Sequence, residues 1–238
     1  MKVLAMDTTS MRGSVALQDD HRLLGQIYLS TISDHSTSLL STIDFLLTKS
    51  GHTIEQIDGV AVATGPGSFS GIRIGLATAK SLAQARNLPM AGVSALHALA
   101  FRVRFVDTLI CPVIDALRQQ IYAGLYRPKP DDDDVEEIMA PIAISPAEWL
   151  AQLPAERIAF LGDGAHRYAE PITAAGRRLW RILPINLYLA EAVAEIGVRR
   201  LAGGAGVGAA DIDALYIRPS DAEIVKAARQ VRPAGDSR

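Results

Sequence analysis

The sequence predicts an α/β protein made of two halves with the same order of elements. Three observations carry this. Short apolar runs separated by turn residues open the chain, helical periodicity follows, and the same succession starts again near the midpoint. With 238 residues, 49% hydrophobic and 21% charged, the chain has the balance of a globular protein that buries a sizeable core.

Val3 to Met6, Ser14 to Leu17 and Leu23 to Leu29 are apolar runs set apart by Asp7-Thr8-Thr9-Ser10, Arg12-Gly13 and Asp19-Asp20, which predicts an antiparallel meander. Asp34 to Ser36 offers N-cap side chains. Leu39, Leu40, Ile43, Leu46 and Leu47 then fall on one helical face, and Gly51 suits the position past its end. Val60 to Ala63 runs as a strand into Gly65-Pro66-Gly67-Ser68, and a long helix is expected from about Gly71 to Arg86, stopped by Asn87-Leu88-Pro89. Gly92-Val93-Ser94 caps a shorter helix from Ala95 to about Arg104.

In the second half, Leu109 to Asp115 repeats the apolar strand that ends on an aspartate, and Ile121 to Tyr126 is its returning strand. Ser145-Pro146-Ala147-Glu148 is a capping box with proline at the first helical position. Ile158 to Gly164 answers Val60 to Gly67 as a strand entering a glycine turn. Asn186 to Leu201 reads as a helix, and Ser220 to Glu223 as a capping box for a last helix that Pro233 ends. The run Asp131 to Asp134 with Glu136 and Glu137 reads as a solvated loop, since such runs lack the fixed geometry of a metal site.

Asp7, at the end of the first strand, supports two readings: a carboxylate orienting a metal or phosphate, or a cap bonded to the backbone two residues on. Asp115 carries the same ambiguity. The Gly65–Gly75 stretch lacks the Gly-Lys-Ser/Thr of a Walker loop, although Gly65 and Gly67 with a following helix N-terminus suit an anion, and Ser68 and Ser70 suit capping. Gly71, Gly75, Ala79 and Ala83 recur every fourth residue on one helical face. Interior glycine costs roughly 1 kcal/mol against alanine, so a close neighbour is implied. That neighbour is either the protein's own sheet or a partner's helix.

A net charge of −2 argues against unaided grip on nucleic acid. Arg199, Arg200, Arg218, Arg229 and Arg232 remain as groups that help only within an assembly. The single cysteine, Cys111, reads as a buried strand thiol and permits no internal disulfide. None of His21, His35, His52, His97 and His166 forms an i, i+4 pair, so no helical zinc motif exists. Met1 to Asp7 reaches an acid too soon for a signal peptide, and no apolar run approaches the roughly 20 residues of a membrane span. A cytoplasmic protein without membrane contact is expected.

"LAMDTTS" at 4–10, "HSTSLL" at 35–40, "GPGSFSGIRIG" at 65–75, "GVSAL" at 92–96, "VIDALRQQIY" at 113–122, "LGDGAHRY" at 161–168 and "LYIRP" at 215–219 together resemble the bacterial TsaB (YeaZ) family, a relative of the TsaD or Kae-type proteins. The resemblance implies an actin/Hsp70-like (ASKHA) two-lobed fold of duplicated ribonuclease H-like mixed sheets flanked by helices. The lobes would be residues 1–106, with partner-binding helices, and residues 107–238, whose end folds back on the first. It implies a non-catalytic subunit needed for threonylcarbamoyl transfer to adenosine of tRNAs that read codons starting with A. Its partners would be a TsaD-type catalytic subunit, a TsaE-type ATPase, and a second copy of itself when TsaD is absent; tRNA would be met only through the complex.

On this resemblance His35, Leu39, Ser68, Phe69, Gly71, Ile72, Gly75 and Ala79 form the partner interface. Asp7, Thr8, Gly65, Gly67 and Asp115 are the candidates for nucleotide phosphate. No catalytic residue, metal ligand or tightly bound cofactor is expected; ATP or ADP with Mg belongs at the partner joint if anywhere. Aligning through Gly92-Val93 puts Ala95 and Leu99 where TsaD relatives carry metal-binding histidines four apart. The chain departs from its own family at Leu117-Arg118-Gln119-Gln120, where members commonly carry an Arg pair and then an acid. Two other readings stand beside this one: a small-molecule kinase or ATPase using Asp7 and Asp115, and a TsaD-like metallo-hydrolase, disfavoured by the missing histidines.

Overall fold

A computed structural model describes residues 1–29, 35–176, 178–185 and 188–218, apart from the side chains of 35–37. Two five-stranded mixed sheets organise it. The first comprises β1 (Lys2–Asp7), β2 (Gly13–Asp19), β3 (Arg22–Leu29), β4 (Gly59–Gly65) and β5 (Met90–Ser94), in the order β3-β2-β1-β4-β5. The second comprises β6 (Leu109–Asp115), β7 (Ile121–Lys129), β8 (Asp134–Ile144), β9 (Ile158–Leu161) and β10 (Trp180–Ile182). Its order, read as β8-β7-β6-β9-β10, is the first sheet's order repeated. The senses of pairing repeat as well: an antiparallel meander, then two parallel additions. The structure thus has the duplicated, two-lobed actin/Hsp70-like arrangement.

Strand alternation builds three cores. Leu4, Met6, Val15, Leu17, Val60 and Val62 face α1 (His35–Lys49) and α2 (Phe69–Arg86). Val3, Ala5, Ala61 and Val93 face the other way, onto α3 (Ala95–Phe101) and α7 (Ala190–Ala202). Ile110, Ile114, Tyr126 and Leu161 of the second sheet press on the same two helices from the opposite side. Leu109, Cys111, Val113 and Phe160 point outward, under α4 (Pro146–Gln152), α5 (Asp163–Arg167) and α6 (Ala169–Ala175). The layers therefore run helices, sheet, shared helices, sheet, helices. Cys111 is buried, accepts from Trp149 Nε1 at 3.3 Å, and has its thiol pushed up to about 12 by burial.

Several sequence expectations need correction. β5, β8, β10, α5 and α6 had no clear signal: β5 and β10 are only 5 and 3 residues long, and α5 is 5. The acidic run is not a free loop, because Asp134 to Glu137 lie in β8, paired with β7 through Lys129↔Asp134 and Tyr126↔Glu137. α7 follows the second sheet in sequence yet packs on β1, β2, β4 and β5 of the first. The capping box at 220–223, Pro233, Arg229, Arg232 and the Asp34 cap lie outside the described residues. Beyond α7, segment 212–218 crosses between the lobes: Leu215 N–H donates to Thr64 O at 2.8 Å, and Arg218 reaches Gln120 at 3.0 Å.

Candidate functional site

Each sheet ends its first strand on an aspartate beside a glycine turn. In the first lobe the turn is sewn to the following helix. Asp7 Oδ1 accepts from the Thr9 N–H at 2.9 Å and the Thr9 hydroxyl at 2.7 Å, the self-capping geometry. Ser68 N–H donates to Thr9 O at 2.6 Å, and the Thr8 hydroxyl donates to Gly71 O at 2.7 Å. Ser68 caps α2 by accepting from Gly71 N–H at 3.3 Å. Gly65, preceding a cis peptide bond to Pro66, has φ +112°.

This geometry identifies the neighbour of the glycine stripe. A Cβ on Gly67 would stand 2.1 Å from Thr9 O, one on Gly71 1.9 Å from Thr8 O, and one on Gly75 2.3 Å from Thr8 Oγ1. The glycines let α2 lie against the chain's own first turn. Ile72 is 1% exposed, Ala79 0% and Leu39 1%, so with Gly71 and Gly75 they are packed inside the lobe. The expectation that these five meet a partner is corrected: a close approach exists, but both sides of it belong to one chain. Ser68 is exposed, and Phe69 is half-buried against the Tyr216 ring at 5.2 Å. The His35 side chain lies outside the described residues.

The second lobe repeats the joint. Gly162, at φ +103°, passes so close to β6 that a Cβ would meet Val113 O at 2.2 Å. Asp163 Oδ1 accepts from Asp115 N–H at 3.0 Å, and Asp115 is ion-paired with Arg167 at 2.7 Å. The two joints face one another across a cleft of about 540 Å³ walled by Thr9, Ser10, Gly67 and Ser68 on one side and Asp115, Arg118 and Asp163 on the other. Leu117 and Arg118 in that wall, and Gln119 after them, have φ of +59°, +49° and +60°. Three successive left-handed residues, none of them glycine, are a conformation found chiefly where function holds it.

Asp7 and Thr8 do not wall this cleft; they are 0% and 2% exposed. A direct phosphate contact from either is not what the fold provides; Thr9 and Ser10 are the residues of this turn that line the cleft. Asp7 Oδ2 has no partner within 3.5 Å among the described residues, and burial pushes the carboxyl up to about 6 against the opposing pull of Thr9 and, more weakly, of the Leu189 backbone N–H. Ala95 and Leu99 are both 0% exposed, within the shared core. Among the described residues, no group of three or more His, Cys, Asp or Glu side chains is placed to hold a metal, and no helix is long and apolar enough to cross a membrane.

Outside the cleft, α1 and α2 lie side by side on the outer face of the first sheet. Their outer surfaces expose Leu40 (53%) and Phe45 (55%), together with Ser41, Ser70, Arg73, Ala77 and Ser81. Sequence reasoning grouped Leu40 with the apolar face of Leu39, Ile43, Leu46 and Leu47, of which only Leu40 turns outward, and on α2 it followed the small residues, which pack inward.

Comparison with known proteins agrees with these features. The family model described as "TsaD: tRNA N6-adenosine threonylcarbamoyltransferase" matches residues 22–195. The tRNA threonylcarbamoyladenosine biosynthesis protein TsaB of Bacillus subtilis is 32% identical over 174 residues, 72% of this chain and 75% of its own. Its Escherichia coli namesake is 29% identical over 224 residues, 92% and 95% of the respective chains. The solved structure of YeaZ from Pseudomonas aeruginosa superposes with a TM-score of 0.77 at 28% identity, over 90% of this chain and 99% of that one. With sequence and two-lobed fold shared over most of its length, the chain belongs to the TsaB (YeaZ) family, a relative of the TsaD proteins.

Proposed function

We propose that this chain is a non-catalytic subunit in the formation of threonylcarbamoyladenosine on tRNA, acting by binding a TsaD-type catalytic subunit. The observation that carries the reading is the state of Ala95 and Leu99. Where the related transferases carry a histidine pair, these side chains are apolar and sealed in the core between the sheets. Neither offers a lone pair, and a metal there would have to displace packed hydrocarbon. A chain so built supports catalysis by holding something else.

The surface that does the holding is the outer face of α1 and α2, where two large apolar side chains stand beside small and polar ones. A few large side chains that become desolvated carry most of the binding energy of an interface, and Phe45 is the better anchor of the two. The same face serves a second copy of the chain when the catalytic partner is absent, and a TsaE-type ATPase joins the assembled pair. tRNA is met through the complex: the net charge is −2, and Arg199 is already committed to Glu195 at 2.7 Å.

The cleft residues do not fit a tightly held Mg-nucleotide. The strand-end acid of the first lobe is sealed from the cleft, and that of the second is paired with Arg167. ATP or ADP with Mg is expected only where a partner completes the wall. The kinase reading loses its principal residue for the same reason.

Reconstitution tests the proposal. Labelled threonine, ATP, bicarbonate, unmodified tRNA and TsaC-, TsaD- and TsaE-type proteins are incubated with and without the chain. Label on tRNA that depends on the chain is expected; equal label without it would refute the role. Phe45→Glu combined with Ala77→Glu should weaken association with the TsaD-type protein by about tenfold or more, since central apolar anchors typically carry about 2 kcal/mol or above. Circular dichroism should be unchanged, because both sites are exposed. Undiminished binding by the double variant would move the interface elsewhere.

A further inference from the structure

Segment 214–217 divides the space between the lobes, and beyond it lies a second opening of about 730 Å³. The ends of β5 and α7 form one wall and β7 with β8 the other, with His97 of α3 between them. Two of its groups are incompletely satisfied. Tyr126 is 2% exposed, yet its hydroxyl has no hydrogen-bond partner among the described residues. Arg200 is half-buried at the end of α7; it donates to the Gly92 carbonyl and has no carboxylate at ion-pair distance among the described residues. Asp134, the acid whose charge it feels, is occupied by His97 Nε2 at 3.0 Å and the Val135 N–H at 2.7 Å.

Folded proteins pair nearly all buried hydroxyls, and a desolvated cation with only a carbonyl partner is costlier still. A carboxylate from outside would answer either, and both residues line the same opening. The rim of the opening, however, carries the exposed acids Glu137, Asp211 and Asp213, and the Glu137 charge is also felt at the Tyr126 hydroxyl. They repel a plain anion and attract an ammonium group. Buried or half-buried donors lining the same opening as exposed carboxylates suit a small molecule that carries both signs of charge.

We propose that this second opening binds a small zwitterion, with its carboxylate on the Arg200 guanidinium and the Tyr126 hydroxyl and its ammonium group at the rim acids. The site is separate from the cleft between the two aspartate joints and from the α1–α2 face, and it does not depend on the role assigned to either.

The test uses the full chain labelled with ¹⁵N, titrated separately with glycine, acetate and methylammonium. The arginine Nε–Hε resonances and the Gly92 amide are followed. Glycine should shift the Arg200 and Gly92 signals saturably, with half-saturation about tenfold or more below that of acetate, which has no ammonium group to make the second charge-assisted pairing. Methylammonium alone should leave Arg200 unmoved. Arg200→Gln should abolish the saturable Gly92 shift, and Arg200→Lys should keep part of it. Tyr126→Phe should weaken glycine binding several-fold without lowering thermal stability, since the hydroxyl it removes has no partner. If Arg200→Gln does not fold, the Lys and Phe variants carry the test alone. The proposal fails if glycine gives no saturable shift, if acetate binds as well as glycine, or if these variants bind glycine like the parent chain.

Discussion

Asp7 sits at the one place in the first lobe where a charge would be expected to work, and the fold has sealed it. A carboxylate without exposure is costly when ionised, and two hydrogen bonds from Thr9 offset only part of that cost. Its folded value near 6 lies above the ordinary 3.8. The folded state therefore holds a proton that the unfolded state has released between these values, and stability falls as pH rises through that window. Asn at this position keeps an acceptor for Thr9 and carries no charge. Asp7→Asn should match the parent below about pH 4 and exceed it above pH 6 by about 3 kcal/mol, because each tenfold change in proton affinity is worth about 1.36 kcal/mol. Urea melts across pH 4 to 7.5 measure this; parallel profiles for the two chains would show that Asp7 does not titrate in this range.

The β7–β8 hairpin shows how acidic residues misled the reading of an element. Asp131 to Asp134 read as a loop in water, but Asp133 is gripped by Arg104 at 2.7 Å and by Arg199, which also binds Glu195. The hairpin tip is thereby tied to α7 and to the end of α3. Those two arginines hold the Asp133 carboxyl down to about 2. Its contribution is present above the ordinary carboxylate range and is lost as pH falls toward 2. Asp133 has φ +48°, which Asn tolerates, so Asp133→Asn isolates the charge. Because the side chain is 47% exposed, solvent screening limits the loss at pH 7 to about 1 kcal/mol. The loss should shrink in 1 M NaCl and fade as pH falls through 2; a salt-independent loss would mean packing, not charge, holds the tip. Elements with strong periodicity or caps, such as β1, α1, α2 and α4, were legible in the sequence. β8 was not, because an edge strand half in water shows no clean alternation. The glycine stripe was half legible: its spacing says that a backbone is close, and only the fold says that the backbone is Thr8.

For the molecule as a whole, the repeated sheet order was legible in the two strand–aspartate pairs, whereas the shared middle layer was not, since no local pattern records which sheet a late helix will choose. α7 covers Val3, Ala5 and Ala61 of the first lobe with Val193, Ile196 and Leu201. A fragment ending at residue 106 would keep α3 but leave most of that apolar face bare. It should fail to give a cooperative urea transition, and addition in trans of a segment spanning α7 should restore one; a cooperative transition from the fragment alone would show that α1, α2 and α3 suffice. The consequence reaches the ribosome. Domains ordinarily fold in turn as they emerge, at roughly 5–20 residues per second. Here the first lobe must wait for a helix encoded about a hundred residues further on, an interval of roughly 5–20 s at that rate. During translation the nascent chain carries a partly open sheet face until α7 has emerged. Chaperone demand in this protein is therefore set by where α7 stands in the reading frame, and circular permutation that moves it ahead of β1 would shorten the wait.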